Sequence, residues 1–166
     1  QFSGQLIARE LVGDKLLDRD GVRLGLSFDA PVGKRVRLDA ALSSLWSRYP
    51  KQKVVNDAGL FDSRLREDIL TSLTFAARMP REWNADLRTL GSVTFGASFL
   101  SSGQNGYDAS RGRYMAGFYD YRELFIVPAV KILAGSQHAP VQIDASAGWR
   151  RRGYLHRLAQ DGTGVY

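Results

Sequence analysis

Cysteine is absent from the 166 residues, which excludes disulfide staples, zinc–thiolate centres and thiol nucleophiles. Histidine is nearly so: only His138 and His156 occur, neither at i, i+4 spacing from another ligand-type residue, so metal binding and imidazole acid–base chemistry are not expected. Nor is there a run of about 18 uncharged apolar residues, and a membrane-spanning helix is excluded. No signal peptide is visible; in an exported protein Gln1 would be a processed N-terminus or the start of an excised segment. Charge is not blocked by sign. The formal net charge is +6, yet Lys and Arg are interspersed with acids, and Arg150–Arg152 is the one dense basic run.

What is present is alternation. In Asn84–Leu100, NADLRTLGSVTFGASFL, one face carries Ala85, Leu87, Thr89, Gly91, Val93, Phe95, Ala97 and Phe99, against Asn84, Asp86, Arg88, Ser92, Thr94, Gly96 and Ser98, with Leu90 the exception. Period-2 alternation marks a strand with unlike surroundings on its two sides. Soluble strands average about 5–6 residues, whereas a strand tilted across a bilayer needs roughly 9–11 in hydrocarbon alone. Such strands hide their apolar residues at alternate positions, which fits the unremarkable 44% apolar and 24% charged composition.

The same pattern recurs along the chain. Phe2–Val12 is an imperfect strand, and Gly13–Gly21 reads as a charged turn. Val22–Ala30 and Arg35–Trp46 alternate cleanly around a turn at Pro31–Gly33 and predict a hairpin. Ser47–Glu67 reads as a long polar loop, and Asp68–Met79 as a strand preferred over a competing helix. A turn at Pro80–Trp83 leads into the long strand. Ser101–Gly117 is a second long loop, followed by a strand within Tyr119–Leu133 in which Pro128 predicts a bulge or weakened pairing. A turn at Ala134–Pro140, a strand over Val141–Gly153 and a polar ending, Leu155–Tyr166, complete the chain. Connections thus alternate long and short, as when short periplasmic turns face long extracellular loops.

The stretches DRDGVRLGLSFDAPVGKRVRLDAAL, FYDYRELFIVPAVKI and IDASAGWRRRGYLHRLAQDG resemble hairpins of bacterial outer-membrane β-barrels. In style they are similar to the barrel that follows tetratricopeptide repeats in secretion and surface-assembly proteins of the surface lipoprotein assembly modifier type. The resemblance implies an all-β, antiparallel, up-and-down transmembrane barrel, or about 7–8 consecutive strands of a larger one, in the bacterial outer membrane. It further implies transport, export or surface display of a polymer, lipoprotein or solute, with outer-membrane lipid, other barrel strands or periplasmic proteins as partners. The count of about seven strands departs from the even number with which bacterial single-chain barrels close.

On that reading the lumen-facing candidates are Arg23, Asp29, Arg35, Arg37, Asp39, Asp68, Arg78, Asp86, Arg88, Lys131, Asp144, Arg150 and Arg152. They form a cationic conduit, or simply pair across strands and fill the interior. Trp46, Trp83, Trp149, Tyr119 and Tyr154 are candidates for interfacial aromatics. Arg150–Arg152 would contact lipopolysaccharide phosphates or snorkel at a rim; nucleic acid is not expected, since no binding motif accompanies the run. A Ser146, Asp144 and His156 catalytic set is not selected by any spacing, and Gly103–Gly106 does not make a phosphate loop. Neither catalysis nor a cofactor is expected. The alternative is a soluble antiparallel β-domain that binds through its two long loops.

Overall fold

The computed structural model describes residues 2–9, 18–135 and 141–156. Its strands are β1 (Phe2–Arg9), β2 (Arg19–Val32), β3 (Val36–Val55), β4 (Phe61–Asn84), β5 (Leu87–Ser102), β6 (Gly106–Asp108), β7 (Arg113–Met115), β8 (Tyr121–Ala134), β9 (Val141–Ser146) and β10 (Trp149–Tyr154). All pairings are antiparallel. The main sheet runs β1-β2-β3-β4-β5-β8-β10, with β9 also on β8, and β6-β7 form a separate small hairpin. Among the described residues the sheet is open, since its two ends do not pair with each other.

The competing helix at Asp68–Met79 does not form; that segment lies inside the 24-residue β4. Loops and turns shift more. The expected loop Ser47–Glu67 is mostly strand: β3 and β4 continue upward past register shifts near Lys53 and close in a turn over 56–60. Asn56 makes that turn, its side-chain oxygen accepting the N–H groups of Ala58 (3.0 Å) and Leu60 (2.9 Å), while Gly59 takes the left-handed φ of 82°. The first short turn falls at Gly33–Arg35 rather than Pro31–Gly33, because Gly33 supplies the positive φ. Pro80–Trp83 is strand, and the turn comes at Ala85–Asp86, where Asn84 accepts the Asp86 N–H at 3.0 Å. Pro80 is tolerated because β3 has ended opposite Arg78, so no donor is required on that side. Of the expected turn Gly13–Gly21, Arg19–Gly21 belong to β2 and 10–17 lie outside the described residues. The expected loop Ser101–Gly117 contains β6 and β7. The expected turn Ala134–Pro140 and ending Leu155–Tyr166 lie partly outside the described residues.

Pro128 accounts for one further difference. β9 and β10 share a single register on β8, Ala129 facing Ser146 and Ile126 facing Trp149, so they are one strand line interrupted at Ala147–Gly148. The Ala147 N–H donates to the Pro128 carbonyl at 3.1 Å, but Pro128 returns no N–H. The expected weakening therefore lies in the partner strand, and the main sheet has seven strand lines among the described residues.

Register decides the faces, because directly opposed residues point the same way. One row reads Phe28, Ala40, Phe75, Phe95, Ile126, Trp149; the next reads Leu26, Leu42, Leu73, Ala97, Leu124, Arg151. Interposed rows belong to the other face, such as Ser27, Ala41, Thr74, Gly96, Phe125, Arg150. The alternation seen in each segment thus sums to one apolar and one polar face across the whole sheet.

Among the described residues neither face carries a second layer, for the substantial strand contacts are all between ladder neighbours. The apolar face is nonetheless the bare one: Phe28 is 66% exposed, Phe75 52% and Phe95 51%, whereas on the polar face Ser47, Asp68, Ser102 and Glu123 are buried. A flat single sheet would expose both faces alike, so the sheet curls toward its polar side. The small Gly96 lies under the Phe125 ring there, and a Cβ at that position would run into the ring.

Restoring the missing donor should mend the interrupted strand line. Pro128→Val is expected to slow amide exchange over Ser146–Trp149 and to raise stability by up to about 1 kcal/mol. Unchanged exchange over that segment would show that the interruption has another cause.

Candidate functional site: the polar concave face

Eleven of the thirteen lumen candidates share this face: Arg23, Asp29, Arg37, Asp39, Asp68, Arg78, Arg88, Lys131, Asp144, Arg150 and Arg152. Arg35 and Asp86 do not, since both sit in short turns. The expected strands begin at Arg35 and Asn84, whereas β3 begins at Val36 and β5 at Leu87.

Most of the charges are paired. Towards the short turns, Arg37 meets Asp29 at 2.6 Å, Arg78 meets Asp39 at 3.0 Å, Arg88 meets Glu82 at 3.4 Å and Lys131 meets Asp144 at 3.6 Å. Nearer the long connections, Glu123 receives Arg152 at 2.8 Å and Arg150 at 3.3 Å. Arg152 also lies 4.1 Å from the Tyr121 ring centre, and Tyr121 meets Tyr154 edge-on at 6.0 Å. Beyond them, Arg66 forks onto Asp68 at 2.6 Å, its guanidinium 4.6 Å from the Tyr49 ring centre, and Ser102 donates to Asp68 at 2.6 Å. Asp120 accepts the Ser102 backbone N–H at 2.7 Å and ties the β5–β8 connection to this cluster.

Arg66, Glu123, Ser102 and Asp120 were not among the sequence candidates. Arg66 was hidden by the reading of Ser47–Glu67 as loop. Glu123 has the same parity as Lys131 on one strand, and that spacing was the available signal. The acids and bases of this face thus pair across strands, the second of the two arrangements expected for these residues. Of the eleven candidates on this face, Arg23 is the one for which no charge partner is seen among the described residues.

The aromatic candidates separate. Trp46, Trp83 and Trp149 each lie two residues from an arginine on the same strand: Arg48, Arg81 and Arg151. Trp83 donates to the Thr89 hydroxyl at 3.0 Å with Arg81 stacked 3.7 Å above its ring, and Trp46 donates to Glu67 at 3.3 Å. Tyr154 instead faces the polar side against Tyr121, and Tyr119 sits in the β5–β8 connection beside Phe118. Ser146 and Asp144 lie on β9, while His156 follows β10 beside Gly117 at the other end of that strand line, so the three are not assembled. His138 lies outside the described residues. Among the described residues no group of three or more His, Asp or Glu could hold a metal ion.

In the small hairpin, the Asp108 carboxyl is held below the usual carboxylate range, chiefly by the Ser110 hydroxyl and also by the N–H groups of Ser110 and Arg111 and the Arg111 charge; burial opposes them. No known family, characterised protein or solved structure matches this chain.

Two outcomes follow from these contacts. Glu123→Gln leaves two guanidinium groups facing each other and should cost about 1–3 kcal/mol in urea unfolding, whereas Arg150→Gln, at an exposed end, should cost under about 1 kcal/mol. Equal costs would mean that Glu123 does not anchor the cluster. Because the folded Asp108 pKa is depressed, its contribution is fully present above about pH 4 and lost as pH falls through the folded value. Amide protection of Gly106–Met115 should hold from neutrality to about pH 4 and decline below it; Asp108→Asn should remove that acid transition.

Proposed function

We propose that this chain forms the wall, or consecutive strands of the wall, of a transmembrane β-barrel in a bacterial outer membrane. Its apolar face meets lipid and its polar face lines an interior through which a polymer, lipoprotein or solute is passed or brought to the surface. One observation carries this reading: the apolar face is a charge-free stripe whose upper edge crosses the strands obliquely.

The edge can be followed residue by residue. Asp20, Arg48 and Glu67 stand in one row across β2, β3 and β4. On β8 the first charge is Arg122, in the row of Phe99 and Thr71; on β10 it is Arg151, in the row of Leu124, Ala97 and Leu73. Measured along β4, the edge is level at residue 67 from β2 to β4 and is unmarked on β5, where Phe99 and Ser101 are uncharged. It stands at 71 on β8 and 73 on β10, a net six residues over five strand steps. With about 3.3 Å per residue and about 4.8 Å between strands, this is an angle of roughly 40°. Strands of membrane barrels tilt by about 35–45°.

Thickness agrees as well. Charge-free positions on the apolar face of β4 run from Ile69 to Met79, between Glu67 and Arg81. Ten steps of about 3.4 Å, tilted by roughly 40°, project to about 26 Å, against about 25 Å for the apolar band of such barrels. Within this band Ser44 and Thr71 hydrogen-bond each other at 3.2 Å, which satisfies one of the two hydroxyl donors without water. No helix among the described residues is long and apolar enough to cross a membrane.

The test is extraction. In cells carrying an outer membrane, the full-length protein should sediment with membranes, require detergent for release and show a band whose gel mobility changes on boiling. A monodisperse protein without detergent would overturn the proposal and favour a soluble β-domain whose apolar face is covered by protein.

A further inference from the structure

Arg122 and Arg151, which make the charged edge on β8 and β10, have no acidic partner among the described residues. Glu123 lies between Arg122 and Leu124 in sequence but on the opposite face, where Arg150 and Arg152 occupy it. Arg122 stands opposite Gly153, and Arg151 opposite Leu124, so the two arginines are diagonal neighbours across one strand pair. Nothing lies within 4 Å of where a Gly153 side chain would begin, so the face is open at the position opposite Arg122 and two residues along from Arg151.

Directly below them the apolar face carries a groove of about 460 Å³. Its floor is Ala97, the small residue in a row of leucines, and its walls include Leu73, Phe95, Leu124, Ile126 and Trp149. Leu124 is both a wall of the groove and the direct neighbour of Arg151, so cationic and apolar parts adjoin. Two like charges at a hydrocarbon edge repel unless an anion lies between them, and guanidinium groups pair with phosphate through forked hydrogen bonds.

We propose that Arg122 and Arg151 together bind the phosphate of a phosphorylated membrane lipid, one acyl chain of which lies in the groove over Ala97. The inference rests on the membrane reading above and names the lipid class that this edge selects. Snorkelling alone would orient either arginine toward water but would not distinguish one headgroup from another.

The full chain in neutral detergent, carrying Trp46→Phe and Trp83→Phe, leaves Trp149 as the sole tryptophan, in the groove wall. Phosphatidic acid with brominated acyl chains should quench it at about tenfold lower mole fraction than brominated diacylglycerol; that ratio corresponds to about 1.4 kcal/mol. The double variant Arg122→Gln, Arg151→Gln should lose this preference, and the corresponding double lysine variant should recover part of it. Ala97→Phe, which fills the groove floor, should reduce quenching by both lipids. Millimolar inorganic phosphate should not displace the phosphatidic acid. Equal quenching by the two lipids, or a preference that survives the double glutamine variant, overturns the proposal; displacement by inorganic phosphate overturns the lipid as its source. Loss of the preference in a chain that still requires detergent removes only the lipid site, whereas a chain that stays monodisperse without detergent removes the membrane reading as well.

Discussion

The constraint on which the rest of the structure depends is that an apolar sheet face must be covered, and the described residues do not cover theirs. Sheets in water-soluble domains solve the problem with a second layer of helices or strands. Here more than a dozen large apolar side chains stand on one face at about 40–65% exposure. Each leaves on the order of 1 kcal/mol of transfer free energy unrealised in water. Together that is comparable to the whole stability of an ordinary domain, about 5–15 kcal/mol. A bare face of this size marks a surface that meets something other than water.

The polar face supplies the complementary half of the design. Small residues there, Ser43, Ser72, Ser98 and Gly96, let the sheet curl toward it, while Phe28, Phe75 and Phe95 occupy the outside of the curve. The larger polar groups on the polar face are charge-paired across strands, as Arg78 to Asp39 and Arg152 to Glu123, so one sheet carries an apolar face and an ion-paired one. Curvature, strand length and the oblique charge edge then belong to one geometry. A lipid-facing stripe must stay level in the membrane while the strands beneath it tilt.

Alternation carried most of what was legible in the sequence. Val22–Phe28, Leu38–Trp46, Ile69–Met79 and Leu87–Phe99 share the face that parity alone assigned to them, because a period of two is unaffected by where a strand begins or ends. Ends were less legible. The polar residues of Ser47–Glu67 were read as loop, but a hairpin that extends beyond the apolar stripe has no apolar alternation to display, although its ladder bonds continue. Pro80 and Pro128 were read as a turn and a bulge; only the neighbouring strand's position decides whether a missing donor matters. The oblique edge could not be seen at all without register, since it relates Glu67, Arg122 and Arg151 from three strands.

The most direct test of the lipid-facing stripe uses the absence of native cysteine. Single cysteines at 72 through 77 on β4 can be spin-labelled in the protein reconstituted in vesicles, and their collisions with oxygen and with a water-soluble nickel chelate compared. The account predicts that Leu73, Phe75 and Ala77 positions favour oxygen, with its excess greatest near Phe75, while Ser72, Thr74 and Ala76 favour the chelate or shield the label from both. Equal access of the chelate to both sets, or shielding of the odd positions from oxygen as well, would contradict it.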